Sequence, residues 1–571
     1  DSPVWIDVRN DDVQIRDAGG LWGLDTWETQ EDIWRQVSGG RAYGDWLQVG
    51  SGRDAGRTTQ RPAVLAIGPV GEAQSRMGCL IHDAGNGAGQ GGFGGVWGAK
   101  NLKAISVIGT GSIEIADPNA LLEARIWAKG YGVNVDDPAQ ALGNYPFSGN
   151  PGFAGYYPPG TAARAQGCLA CHKSCRGRTA SSHGNESQCL EFLYYSAYDS
   201  AAHGAATDTT LLAADLVNKY GINDYPLHAA IRWLVKLAEK GIAGPGLEID
   251  TDLPFDKVGE FEFVETLVKQ IAAGEGIGAD LADGVSRAAE KWGRLEEDLA
   301  TGDLGLQYWG YSQHYDARTE VEWGYGSILG ARDINEHDFN FPCYWTPSIA
   351  DLYGAPVPVS AEEMANIIAA ACKPYSDPMM IDYSDEGIYS EAMAKTIAWH
   401  RHYTRFWKQS IMYCDWAWAD FLNPYGTDFR GLTPEGEPKF LNAVTGAGFS
   451  FEDGIETGRK IWNLTRAIWV LQGRHRDQEV FPEYTYATPG VPGFTTYEVP
   501  YVMPTYENGE WAYRSVAGRM LDREKFEEWK TKYYKLEGWD TSSGYPTRAT
   551  LEEMGLAQVA DKLEAAGKLG V

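Results

Sequence analysis

The sequence predicts an α+β protein, a β-rich N-terminal part followed by two largely helical domains, and three observations carry that reading. The first ~115 residues show period-two alternation and short apolar runs, the pattern of strands. Beyond them the hydrophobic period lengthens to that of an α-helix and stays there. At 571 residues, with 43% apolar side chains and 21 Trp, 31 Tyr and 18 Phe, the chain is also large enough for several buried cores. The domains read as 1–115, 116–330 and 331–571.

In order, "VWIDV" and "DVQIRDA" alternate as strands, "TWETQEDIWRQV" reads as a short helix, and "PAVLAIG" and "KAISVIG" are buried-strand candidates. Between the last two lies "GNGAGQGGFGGVWGAK", with eight glycines before Lys100. That much backbone freedom belongs either to a surface turn or to a close backbone approach. Helices follow at "PNALLEARIWAKGYG", "LLAADLVNKYG", "PLHAAIRWLVKLAEKG", "FEFVETLVKQIAAGEG" and "ADLADGVSRAAEKWG", most closed by Gly. After an aromatic, irregular stretch from 301 to about 350, which fits either an apolar channel or an ordinary core, helices resume. They include "SAEEMANIIAAAC", "SEAMAKTIAWHRHYTRFWKQSIMYC", "GIETGRKIWNLTRAIWVL" and "REKFEEWKTKYYKLEG".

A formal charge of -29 repels phosphate backbones and anionic lipid surfaces, which argues against nucleic acid as a partner. No run of 18 apolar residues suggests a transmembrane segment, and the first twenty residues lack the basic region and apolar core of a secretory signal. The chain starts without an initiator Met, so residues before Asp1 are expected. Eight scattered cysteines do not make a disulfide framework. A reducing, cytoplasmic setting is the expectation.

Three of those cysteines fall together in "GCLACHKSC". Cys168, Cys171 and Cys175 form C-x2-C-x3-C. Inert packing and a redox dithiol are alternatives, but zinc usually takes its thiolates in pairs, whereas three in one loop with a distant fourth suit a [4Fe-4S] cubane. Spacing leaves Cys189, Cys343, Cys372 and Cys414 open as the fourth ligand. His172, His183, Glu186 and Glu191 are nearby polar residues without independent support, and His172 could face solvent or shape the cluster surroundings.

The C-x2-C-x3-C loop, preceded by "GPVGEAQSR" and "GGFGGVWGAKNLKAI" and followed by "DLVNKYGIND", "IAAGEGIGADLADGV" and "NAVTG...GRKIWNLTRAIWVLQGRHRDQEVFPE", resembles the aldehyde ferredoxin oxidoreductase superfamily over essentially the whole chain. The resemblance implies tungsten held by two molybdopterin-type pterins, one [4Fe-4S] cluster, and Mg2+ bridging the pterin phosphates. It makes the β-rich part a cofactor-binding domain whose start is absent from the given chain. Cys168, Cys171 and Cys175 resemble the first three cluster ligands, and Cys414 in "QSIMYC" the fourth. Arg76 and the loop holding Gly91, Gly92, Gly94 and Lys100 resemble residues beside the pterins, where Gly-rich amides and a cation would hold a phosphate arm. Lys100 and Lys103 read equally as surface lysines. A pterin motif runs through Asn218, Gly221, Asn223 and Asp224, with Asn223 where the family usually has Asp; Gln409 likewise replaces an Asp. Both amides keep a donor and an acceptor and lose the charge.

Two positions divide the functional readings. His337 in "ARDINEHDF" resembles the histidine of aldehyde-oxidising members, a proton-transfer group. Cys189 stands where those members carry Glu and resembles a cysteine ligand to the metal in the tungsten subunit of class II benzoyl-CoA reductase, although that branch's histidine ahead of the cluster loop is missing here. A thiolate suits a heavy, sulfur-loving metal. Three functions are therefore carried forward: aldehyde–carboxylic acid interconversion with ferredoxin-type electron transfer, low-potential reduction of an aromatic acyl-CoA, and an iron–sulfur subunit without tungsten. A ferredoxin or an iron–sulfur electron-transfer subunit is the implied partner, and a homo-oligomer is compatible with all three.

Overall fold

The computed structural model describes residues 2–51, 55–83, 85–129, 163–166, 176–179, 186–187, 190–305, 307–309, 311–312, 316–330, 341–352, 354–413, 421–423, 428–490 and 500–571. Two compact units emerge, one of Asp1–Ile113 and Pro146–Ser312, the other of Glu114–Tyr145 and Gln313–Val571.

The first unit is built on a six-stranded mixed sheet. Strands β1 (Val4–Arg9) and β2 (Asp12–Asp17) form a hairpin with Ile6 opposite Ile15. Helix α1 (Thr26–Ser38) follows, started by a reciprocal capping box between Asp25 and Glu28 and closed by Gly39 in the left-handed region. After the small hairpin β3 (Leu47–Val49) and β4 (Gly56–Thr58) come β5 (Ala63–Ala66), helix α2 (Pro69–Glu72), β6 (Leu80–His82), β7 (Asn86–Ala88), helix α3 (Phe93–Ala99) and β8 (Leu102–Ile108). The sheet order is β2-β1-β8-β5-β6-β7, with β1 and β8 parallel and the other pairs antiparallel. One face is covered by α1: Trp5, Val64, Ala66, Ala104 and Ile108 pack against Ile33 and Val37. Strand β2 lies at the edge, and its Val13 and Ile15 are exposed.

Helices Leu190–His203, Asp208–Tyr220, Asp224–Glu239 and Phe261–Ala273 complete this unit, with the shorter Gly276–Leu281 and Val285–Lys291. "ADLADGVSRAAEKWG" thus forms two helices rather than one, because Gly284 at φ 99° breaks the chain between them.

The second unit is helical, with Pro118–Lys129, Val321–Leu329, Ala361–Ala371, Glu391–Tyr403, Gly436–Thr445, Phe451–Leu471 and Arg523–Glu537 as its larger helices and one hairpin at Val502–Glu507 and Glu510–Ser515. Trp323, Tyr325, Tyr344 and Trp345 of the 301–350 stretch are buried in its core: Tyr325 packs 4.4 Å from Trp529 and 5.1 Å from Phe526, ring centre to ring centre. Among the described residues, no helix is long and apolar enough to cross a membrane.

Candidate functional site: a glycine-lined cleft in the first unit

Three sequence motifs meet around the turn that follows α2. Gly68 opens this segment, and a β-carbon there would lie 2.4 Å from the carbonyl oxygen of Tyr220. Beyond α2 the chain is tied on both sides. The Ser75 hydroxyl donates to the Ala282 carbonyl at 2.9 Å and the Arg76 amide to the same oxygen at 2.8 Å, while the Cys79 amide donates to Gly221 at 2.8 Å. The Asn223 amide in turn donates to the Met77 carbonyl at 2.7 Å. The segments "GEAQSRMGC", "NKYGIND" and "ADLADG" are therefore held together mainly by backbone hydrogen bonds, with the Ser75 hydroxyl as the side-chain contribution.

Helix α3 completes the arrangement and accounts for three glycines of the run, Gly94, Gly95 and Gly98. Its Gly98 faces α2 so closely that a β-carbon would fall 2.0 Å from the Gly71 oxygen, and one on Gly94 would fall 2.6 Å from the Cys79 amide. These glycines permit two backbones to touch. Gly91 and Gly92, at φ 89° and 67°, serve differently: they turn the chain ahead of α3 and line a cleft of about 430 Å³ together with Arg76, Pro226, Asp283 and Trp309. The volume lies within the range of small-molecule pockets. Arg76 is exposed there, and no described carboxylate pairs with it.

The corner Asn218–Asp224 stands behind the cleft. Gly221 ends one helix in the left-handed region, and Asn223 starts the next by accepting from the Tyr225 amide at 3.1 Å. Asn and Asp cap helices equally well, so Asn at this position keeps the corner intact. Asn218 gives its carbonyl to the Thr26 hydroxyl, and its buried Nδ2 meets no acceptor among the described residues. Burial pushes the Asp224 carboxyl up to about 7, against the pull of the amides of its own turn. These features suit an anionic, hydrogen-bonding cofactor arm: a guanidinium without a carboxylate partner, backbone at positive φ, and an orphaned buried amide.

Of the residues expected from the sequence, Arg76, Gly91 and Gly92 line the cleft, and Asn218, Gly221, Asn223 and Asp224 form the corner. Gly94 and Lys100 do not line it; Lys100 stands exposed at the end of α3. Gln409, in the second unit, is an exposed residue just past the Thr404–Lys408 turn and accepts from Arg405. Lys103 is not a surface lysine. It is fully buried at the start of β8, where it donates to the Leu24 carbonyl at 2.8 Å and pairs with Glu72, although Val107 further along the same face is exposed. Desolvation lowers the Lys103 pKa and raises that of Glu72.

Cys168, Cys171, Cys175, Cys189, Cys414 and His337 lie outside the described residues, as do His172, His183 and the side chains of Glu186 and Glu191. Among the described residues no group of three His, Cys, Asp or Glu could hold a metal. Cys343 and Cys372 are fully buried free thiols whose pKa values burial drives well up. The late motif "GRKIWNLTRAIWVLQGRHRDQEVF" is a structural core: buried Glu479 receives Arg466, Arg474 and the Tyr534 hydroxyl.

Asp283, Gly284, Gln307 and Trp309 also line the cleft and were not anticipated. The Asp283-Gly284 pair carried a turn signal that was available; the isolated Trp309 carried none.

Residues 1–109 match the family described as "Aldehyde ferredoxin oxidoreductase, N-terminal domain", and residues 104–556 match "Aldehyde ferredoxin oxidoreductase, domains 2 & 3". The tungsten-containing aldehyde ferredoxin oxidoreductase of Pyrococcus furiosus is 25% identical over 98% of this chain and 80% of its own. That of Thermococcus kodakarensis is 24% identical over the same shares. The fold is shared with a chain of the active site complex BamBC of benzoyl coenzyme A reductase in complex with 1,5-dienoyl-CoA, at TM-score 0.66 and 19% identity, covering 100% of this chain and 82% of that one. With both family regions matched in order from residue 1 to residue 556, the chain belongs to the aldehyde ferredoxin oxidoreductase family.

Proposed function

We propose that this protein is a tungsten-dependent iron–sulfur oxidoreductase that interconverts an aldehyde and its carboxylic acid and exchanges electrons with a ferredoxin-type protein. The observation that carries the reading is a cleft lined by the Arg76 turn and the Gly91-Gly92 loop, with the Asn218–Asp224 corner hydrogen-bonded to the segment Met77–Cys79 behind it, in a chain that this family matches from residue 1 to residue 556. A tungsten bis-pterin bound here would supply the two-electron redox chemistry. Oxidising an aldehyde with water to the acid releases two electrons and two protons, so the protein must bind the cofactor, carry protons and pass electrons on.

Arg76 and the amides of Gly91 and Gly92 would hold a pterin phosphate arm, with Mg2+ between the two arms, and Asn218 and Asn223 would hydrogen-bond the ring. Cys168, Cys171, Cys175 and Cys414 would bind the [4Fe-4S] cluster, the route for single electrons. His337 would move the proton near neutral pH.

A second reading, reduction of an aromatic acyl-CoA, is supported by Cys189 and by the shared fold with the BamBC chain. If Cys189 ligates the metal, X-ray absorption at tungsten should lose one sulfur scatterer in Cys189→Ser. Equal sulfur counts, with ordinary aldehyde oxidation, would remove that reading. The decisive test of the function is W, Mo and Fe analysis of the anaerobically purified protein, with aldehyde and aryl-CoA turnover followed through a viologen dye. Iron without tungsten or molybdenum, and no dye-linked turnover, would leave only an iron–sulfur subunit.

A further inference from the structure

The side chain of Arg76 is exposed in the cleft, yet its backbone is clamped from two sides. On one side lies α3: a β-carbon on Gly92 would fall 2.7 Å from the Arg76 carbonyl oxygen, and one on Gly95 2.4 Å from the Ser75 carbonyl oxygen. On the other lies the segment Ala282–Gly284, whose Asp283 and Gly284 line the cleft. The turn meets that segment at the Ala282 carbonyl oxygen, which accepts both the Arg76 amide at 2.8 Å and the Ser75 hydroxyl at 2.9 Å.

Ser75 does more than donate. Its Oγ also accepts from the Met77 amide at 3.1 Å, closing a hydroxyl turn around Arg76. One hydroxyl thus uses its donor and its acceptor capacity on the two flanks of the same residue. Ser75 is 2% exposed, so bulk water has little access to compete for either bond. Alanine at this position would keep the backbone ties of the turn, including the Arg76 amide to Ala282 and the Asn223 amide to Met77. It would release residue 75 from Ala282 and leave the Met77 amide short of this acceptor.

The consequence falls on the guanidinium. An arginine side chain is long and rich in rotamers, and it grips a phosphate with two parallel hydrogen bonds only when the backbone carrying it is held to within about 0.5 Å. We propose that Ser75 is a positioning residue of the anion-binding cleft, its hydroxyl fixing the turn from which Arg76 reaches the phosphate arm of the cofactor. That the anion is a pterin phosphate rests on the function proposed above; the placement of Arg76 by Ser75 does not.

The full chain, purified anaerobically with its cofactor, tests this through the rate at which bound pterin is lost on dilution, read by fluorescence after oxidative release. Ser75→Ala should lose pterin at least about threefold faster than the parent, the effect of one buried hydrogen bond. Because Ser75 acts through Arg76, the double variant Ser75→Ala/Arg76→Ala should lose it no faster than Arg76→Ala alone. Thr210→Val removes a hydroxyl that is fully buried in the same unit and bonded to Asp199 at 2.6 Å, and should match the parent. Parent-like retention in Ser75→Ala, losses that multiply in the double variant, or equal loss in Thr210→Val would each overturn the proposal, the last two because they report general weakening of the unit. Parent protein that holds no pterin would instead refute the function proposed above. The same variants are then compared by calorimetry with inorganic pyrophosphate as the probe, where equal affinity in the parent and Ser75→Ala overturns the positioning role and a weaker affinity in Ser75→Ala upholds it.

Discussion

Glu322 offers the sharpest energetic test of the second unit. It lies on helix Val321–Leu329, fully buried, and neither carboxylate oxygen makes a hydrogen bond to a described residue. Burial drives its pKa from 4.5 to about 7, only partly opposed by its own backbone amide, the nearby Tyr383 hydroxyl and the Arg401 guanidinium. Between those two values the folded protein holds a proton that the unfolded chain has lost, so stability falls as pH rises through the window and levels off above about 7. At about 1.4 kcal/mol per pH unit the whole loss is roughly 3 kcal/mol, most of it between pH 5 and 8. Glu322→Gln keeps the shape and cannot ionise. Relative to the parent, the variant should therefore gain about 2 to 3 kcal/mol on going from pH 5 to pH 8. Hydrogen exchange of the peptide spanning this helix, read by mass spectrometry across a urea series at both pH values, reports that difference locally. Parallel behaviour of parent and variant would mean that water or an unseen partner already satisfies the carboxylate, and the burial argument would fail.

Gly98→Ala should destabilise the first unit by about 1 to 3 kcal/mol, since its methyl would meet the Gly71 carbonyl; Gly111→Ala, with open space around it, should be neutral in the same thermal scan. Arg76→Ala should lower bound pterin several-fold in anaerobically purified protein, measured by fluorescence after oxidative release, because a dianion would lose the cation that the described residues offer it in the cleft; unchanged pterin would dismiss Arg76 as an anchor. Cys414→Ala should reduce bound iron and alter the cluster's EPR signal. Four iron atoms with the parent spectrum would send the search for the fourth ligand back to Cys189, Cys343 and Cys372, of which the latter two are buried.

The strands and most helices were legible because local periodicity and capping agree with the packed structure: Trp5 points inward from β1, Asp25 and Glu28 cap α1, and Gly221 closes its helix. The cleft was legible only in part. Gly91 and Gly92 were visible as a glycine run, but nothing in the run separates them from Gly94 and Gly98, which serve backbone contact instead. Only the partner surface, supplied by a segment some twenty residues earlier, makes that distinction. The Ala282 carbonyl that fixes Arg76 could not have been found at all, because a backbone oxygen leaves no mark on residue identity. Lys103 misleads for a related reason: a charge on a strand reads as exposed until its end of the strand proves to be covered, here where Glu72 and the Leu24 carbonyl meet it.

The same separation bears on what the departures from the family pattern mean. At the corner, the side chain of Asn223 caps a helix and its backbone amide binds the Met77 carbonyl, so position 223 holds the loop carrying Arg76 whether or not a pterin is present. An Asp there would do the same and add a charge. Asn223 therefore cannot be taken as a sign that the cleft has been abandoned, because the scaffold function alone would retain either residue. Gln409 is different: it is exposed, and one of its contacts is the hydrogen bond it accepts from Arg405 four residues earlier. Position 409 has no such scaffold role in holding the Arg76 loop, so Gln409→Asp is the more informative restoration. If this chain binds a second pterin weakly through that position, the restored carboxylate should raise bound pterin per chain; if the amide already suffices, the pterin content should not change while Arg76→Ala still lowers it.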